Sequence, residues 1–192
     1  MSSNEPRDQS EQNPWTRLSR RRVYDNPWIT VWEDQVRRPD GQPGIYGVVH
    51  YKNQAVGVVA LDAEDRVALV GQYRYTLDTY SWEIPEGGAA PGEEPLAAAR
   101  RELDEETGCS AAQWRTLFRG HLSNSVSDEE AFCYLATELR VGEARPEGTE
   151  QLQVRWVPFE EALAMAMDGR ITDALSIAGL QHVALERRTS RS

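Results

Sequence analysis

Lysine is almost missing from this chain: Lys52 stands alone among 21 basic residues, and the rest are arginine. Basic residues are also outnumbered by 31 Asp and Glu, which leaves a formal charge of −10. That balance argues against sequence-independent binding to nucleic acid, which needs a basic stripe. Cysteine is scarce. Cys109 and Cys133 have neither metal-ligand spacing nor a disulfide pattern, so both are expected to pack as small apolar residues in a reducing compartment. No long hydrophobic run is present: stretches such as Ala162–Met167 fall far short of the roughly 20 apolar residues that span a bilayer. The opening residues are polar and lack the apolar segment of a secretory leader. The expectation is a cytoplasmic protein with no membrane partner and no nucleic-acid partner.

What is present reads as one domain of 192 residues. Residues 1–20 are expected to form a polar, mobile tail, residues 21–187 a single domain, and residues 188–192 a short C-terminal tail. The basic run Arg20–Arg22 reads as solvated surface or, with less support, a substrate contact. From Val23 the pattern turns to β. Ile29–Val36 and Ile45–Tyr51 flank a Pro/Gly-rich turn and predict an N-terminal antiparallel hairpin. Ala55–Leu61 and Val67–Tyr73 flank Asp62–Asp65 and predict a second hairpin of central strands. Trp82–Ile84 reads as a short strand running into a loop at Pro85–Gly88. A helix is expected from Pro95 to a cap at Gly108, with Leu96, Ala99 and Leu103 on its apolar side. Later strands are expected over 115–122, 131–139 and 152–158, and helices over 158–167 and 173–187. Strands around a loop–helix unit, with closing helices, make an α/β layered domain.

The informative stretch is Gly87–Cys109, GGAAPGEEPLAAARRELDEETGC. A helical repeat of about 3.6 residues places Glu102 and Glu106 on one face with Glu105 beside them. Three carboxylates that close repel one another unless a cation neutralises them. Mg²⁺ suits the role, because it takes a few carboxylates and completes its shell with water and phosphate. A solvated acidic helix face is the bland alternative.

This stretch resembles the Nudix box of the Nudix hydrolases, G-x5-E-x7-R-E-U-x-E-E-x-G-U with U aliphatic. Gly87, Glu93, Arg101, Glu102, Glu105, Glu106 and Gly108 meet every fixed identity; Leu103 fits the first U, and Cys109 fits the second as a small apolar residue. The resemblance implies an α/β/α sandwich around a mixed sheet, and water attacking a diphosphate with a divalent metal, Mg²⁺ or Mn²⁺ in its place. It implies that Glu102, Glu105 and Glu106 ligate the metal, joined by the backbone carbonyl of Glu86. It also implies that Glu93 and Arg101 form an orienting ion pair, with Gly87 and Gly108 needed for backbone conformation.

Residues outside the box narrow the expectation. Gln72-Tyr73-Arg74 followed by Trp82-Glu83-Ile84-Pro85 resembles the lead-in of ADP-ribose and nucleoside-diphosphate-sugar pyrophosphatases. Arg74 would offer its planar fork to a phosphate or terminal sugar, and Glu83 would bind substrate, hold Arg74, or form a plain strand-end pair. Ser127-Asp128-Glu129 resembles the S-x-E loop of that branch, although Asn124-Ser125-Val126 stands where the branch carries Pro-Gly-Phe. Glu129 is the candidate general base beside Glu105 and Glu106, and Glu130 is its rival. Trp28 and Trp32, four apart and so on one face of a strand, would stack on a nucleobase, pack in the fold or line a dimer interface. The branch further implies a homodimer. The expected reaction is hydrolysis of ADP-ribose or a related nucleoside diphosphate sugar to a nucleoside monophosphate and a sugar phosphate. The alternatives are a Nudix hydrolase of nucleoside triphosphates or dinucleoside polyphosphates, and a non-catalytic nucleotide-sugar sensor.

Overall fold

The computed structural model describes residues 12–142 and 152–189, so the expected tail over residues 1–11 and the last residues, 190–192, lie outside it. The described residues divide into two compact units, one of residues 12–52 and 125–128, the other of residues 53–124, 129–142 and 152–189.

The first unit carries an antiparallel sheet of three strands, β1 (Thr16–Asp25), β2 (Ile29–Arg37) and β3 (Pro43–Tyr51), in the order β1-β2-β3. The hairpin expected from the Pro/Gly-rich turn is β2–β3. A strand precedes it where residues 16–20 were expected to be tail, because arginines on β1 find acids across the ladder. Arg20 donates to both carboxylate oxygens of Asp34 at 2.6 and 2.7 Å, and Arg21 pairs with Glu33 at 3.0 Å. The Arg20–Arg22 run is thus held by cross-strand pairs, with Arg22 reaching Asp25 on its own strand. Trp28 lies in the β1–β2 turn rather than on a strand, so it does not share a strand face with Trp32.

The second unit holds two sheets. One has the order β7-β4-β9-β8, from β7 (Glu86–Ala89), β4 (Gln54–Ala60), β9 (Glu130–Val141) and β8 (Cys109–His121); its β4–β9 pair is parallel and the others antiparallel. The second, β10-β5-β6, joins β10 (Gln153–Pro158), β5 (Arg66–Arg74) and β6 (Thr79–Glu83). Alternation along β4 sends Val56, Val58 and Ala60 to one core, with Ala98, Ala99 and Leu103 of helix α1 (Pro95–Thr107). Val59 and Leu61 enter another core with residues of α2 (Phe159–Asp168) and α3 (Ala174–Thr189), among them Phe159, Met165, Leu175 and Leu180. Helices therefore cover both faces of a mixed sheet, the expected α/β/α arrangement. No helix among the described residues is long and apolar enough to cross a membrane.

Two expectations are overturned here. The Asp62–Asp65 turn forms, with the Asp65 N–H on the Asp62 carbonyl at 3.2 Å, but only Leu61 and Val67 pair beyond it. β4 and β5 then part into different sheets, because β4, buried on both faces, pairs with the distant β9 instead. The loop expected at Pro85–Gly88 contains strand β7, whose Gly87 and Gly88 pair with Val56 and Ala55. Glycine is a poor strand former by itself, and tertiary pairing overrides that preference.

Candidate active site

In the second unit, β7 runs past the acidic face of α1. The helix begins at Pro95 and ends at Gly108, whose φ of 69° is left-handed and whose N–H donates to the Asp104 carbonyl at 2.8 Å. Gly87 has no room for a side chain: a Cβ there would stand 2.0 Å from Cδ and 2.1 Å from Oε1 of Glu102. The Glu102 carboxylate occupies that space and accepts the Gly88 N–H at 3.2 Å.

Arg101 organises the rest. Its Nε and Nη2 donate to Glu93 at 3.2 and 3.3 Å, and Nη2 also reaches the Gly88 carbonyl at 2.9 Å. Nη1 is shared by Glu102 at 2.8 Å and Glu105 at 2.9 Å. The guanidinium thus ties the loop before the helix to two of its carboxylates. Glu106, 3% exposed, accepts the Glu86 N–H at 3.1 Å. Burial raises the Glu102 carboxyl above its ordinary range despite Arg101 beside it.

A second acidic group meets the first at Glu86. Its side chain accepts a hydrogen bond from the Ser176 hydroxyl at 2.8 Å. Burial pushes this carboxyl well up; the charge of Asp173, a hydrogen bond to it and the charge of Glu83 add to the rise, and Ser176 opposes it. Asp173 caps α3, accepting the Ser176 N–H at 2.7 Å. Burial, then the charge of Asp173, raises Glu129 as well. Glu130 is otherwise engaged, accepting from Gln54 at 2.7 Å and from Arg119. Glu83, 4% exposed, is gripped by Arg74 through Nε at 2.9 Å and through Nη2. Trp28, in the other unit, is 67% exposed.

The structure therefore brings together Glu86, Gly87, Glu93, Arg101, Glu102, Glu105 and Glu106, and separately pairs Arg74 with Glu83. The donor set is carboxylate and carbonyl oxygen, the chemistry of a hard divalent cation such as Mg²⁺. Glu102 and Glu105 are turned to Arg101, and among the described residues no three acidic, His or Cys side chains converge as a metal cluster. Asp173 and Ser176 were missed in the sequence. Asp173 carried a signal, an N-cap acid before an apolar helix; that this cap faces Glu86 is a tertiary fact.

Known proteins align with these features. The NUDIX domain matches residues 51–176, and the nucleoside diphosphate sugar hydrolase N-terminal domain matches residues 15–49. The chain is 35% identical to the ADP-ribose pyrophosphatase of Mycobacterium tuberculosis, covering 85% of this chain and 80% of that one. It is 30% identical to the ADP-ribose pyrophosphatase of Bacillus subtilis, over 88% of this chain and 92% of that one. The crystal structure of an ADP compounds hydrolase superposes with a TM-score of 0.82 over 92% of this chain and 95% of the other; at 21% identity it shows the fold.

Proposed function

Since the chain belongs to the NUDIX family and is a hydrolase of the ADP-ribose pyrophosphatase type, we propose that it hydrolyses ADP-ribose or a related nucleoside diphosphate sugar. The observation that carries this reading is the joint match of residues 15–49 and 51–176 to a nucleoside diphosphate sugar hydrolase N-terminal domain and a NUDIX domain.

Water attacks one phosphorus, the bridging P–O bond breaks, and a nucleoside monophosphate and a sugar phosphate leave. Glu129 accepts the proton from water. Its raised pKa, from burial and the charge of Asp173, makes it a stronger base than an ordinary carboxylate. Arg74, fixed by Glu83, presents the remaining edge of its guanidinium to a phosphate or the terminal sugar. Arg101 holds Glu102 and Glu105 in place, and Glu93 orients Arg101. Glu102, Glu105, Glu106 and the Glu86 carbonyl would hold Mg²⁺, with Mn²⁺ as a substitute. When bound, the cation neutralises diphosphate charge and acidifies water. Trp28, exposed at its turn, is available to stack on a nucleobase.

The protein acts as a homodimer in the cytoplasm. All ten residues of β1 are exposed, including Leu18, Val23 and Tyr24, which favours a second copy covering that strand. Both cysteines are free and buried, as in a reducing compartment.

The test is a panel of nucleotides incubated with the protein and Mg²⁺, with products identified. Nucleoside monophosphate and sugar phosphate from diphosphate sugars are expected. Pyrophosphate released from triphosphates, with diphosphate sugars untouched, would overturn the proposal. Light scattering checks the dimer, and a monomer at assay concentration refutes it.

A further inference from the structure

Residues 84–86 lead from the end of β6 into the start of β7, in a different sheet, and are held by the main chain of β4 and by side chains from two helices. Pro85 has no N–H to give; its carbonyl accepts the Val58 N–H at 2.9 Å. The Ile84 N–H donates to the Ser176 hydroxyl at 2.9 Å, and the Glu86 N–H donates to Glu106 of α1 at 3.1 Å. Ser176 is 0% exposed and sits in the first turn of α3.

The Ser176 hydroxyl does two things at once. It accepts the Ile84 N–H and donates its proton to Glu86 Oε1 at 2.8 Å. A hydroxyl is the smallest side-chain group able to accept from one neighbour and donate to another. Its own backbone is fixed in turn, because the Ser176 N–H is taken by Asp173 Oδ2 at 2.7 Å. One buried oxygen therefore joins the main chain of residue 84 to the side chain of residue 86, and both to the start of α3.

We propose that Ser176 is a positioning residue: it clamps residues 84–86, so that the Glu86 carbonyl and the Glu106 carboxylate bonded to the Glu86 N–H are presented together to a divalent cation. This rests on the cation-dependent hydrolase reading above, and it adds a role for α3, which contributes no ligand. Partners that orient the ligands of a metal are costly to lose, typically about 10- to 100-fold in affinity or activity. Ser176 is uncharged, so its removal breaks the clamp without taking a charged group from the site.

The test measures Mn²⁺ binding to the full chain by electron paramagnetic resonance of the free ion, without substrate, and checks folding by circular dichroism. Ser176→Ala is expected to weaken Mn²⁺ binding about tenfold with an unchanged dichroism spectrum. Glu86→Ala keeps the main-chain carbonyl but removes the other half of the clamp, and is expected to weaken binding by at least as much. The double variant is expected to be no worse than the weaker single variant, because both changes break one device. In turnover, Ser176→Ala should lower kcat with little change in KM. Should Ser176→Ala fail to fold, Glu86→Gln decides the matter. It removes the acid but keeps an oxygen to accept from the Ser176 hydroxyl, so it should bind Mn²⁺ more tightly than Glu86→Ala, and equal losses in the two would overturn the clamp. Unaltered Mn²⁺ affinity in either folded variant, or fully additive losses in the double variant, would overturn the clamp. If Glu106→Gln loses Mn²⁺ while Ser176→Ala keeps it, the clamp alone is wrong; if the unaltered chain binds no Mn²⁺, the cation reading fails and the clamp with it.

Discussion

Gly87 and Glu102 are packed so closely that a methyl group at residue 87 would stand 2.0 Å from Glu102 Cδ. The carboxylate that fills this space is also bonded to Arg101 and to the Gly88 N–H. A Gly87→Ala change therefore has to move Glu102 or β7. We expect turnover to fall about 100-fold, the scale of a displacement near 1 Å at a catalytic centre. Steady-state kinetics with the preferred diphosphate sugar checks this; wild-type kcat would show that the contact relaxes freely.

Glu106 is buried at 3% exposure and bonded to the Glu86 N–H. Glu106→Gln keeps an oxygen to accept that bond and removes the charge. Turnover is expected to fall by about 100-fold or more, since electrostatic groups of this kind carry the larger share of rate enhancement. The melting temperature should change little, because burying a neutral amide is easier than burying a carboxylate. Unchanged turnover on every active substrate refutes the proposed cation site.

Arg74 offers a cleaner split between roles. If its guanidinium contacts substrate, Arg74→Ala raises KM at least about tenfold, as expected for a lost charge-assisted bond. It also leaves Glu83, 4% exposed, without the partner that holds it, so the melting temperature falls as well. A lower melting temperature with KM unchanged would mean that the pair is structural only.

Acid sensitivity is expected in the first unit. The hydrogen bond from Arg20 holds the Asp34 carboxyl below its ordinary range. A carboxylate with a depressed folded pKa contributes stability above its unfolded pKa, near 3.9, and that stability is lost as pH falls through the folded value. Asp34→Asn should therefore be less stable than the natural chain at pH 7, and the two should converge below about pH 4. Denaturant titrations followed by tryptophan fluorescence, to which Trp32 beneath Arg20 contributes, measure the difference. A constant gap at all pH values would remove Asp34 as its source.

The sequence by itself determined the box helix, its cap at Gly108 and the β2–β3 hairpin. These depend on local chemistry: Pro95 at the first turn, a glycine in a left-handed conformation, and a Pro/Gly-rich turn between β-rich runs. Resemblance to the Nudix box also implied the pairing of Arg101 with Glu93, which the structure forms. The tertiary structure alone decided that β4 and β5 part into different sheets, because burial on both faces of β4 outweighed the turn that links them. It decided that Gly87 and Gly88 pair within a strand, where pairing with β4 overrides glycine's weak preference. It also placed Asp173 and Ser176 against Glu86, across a span of about 90 residues. Contacts made over such a span leave no periodicity in the chain, and here they surround the acids that the local pattern had already marked.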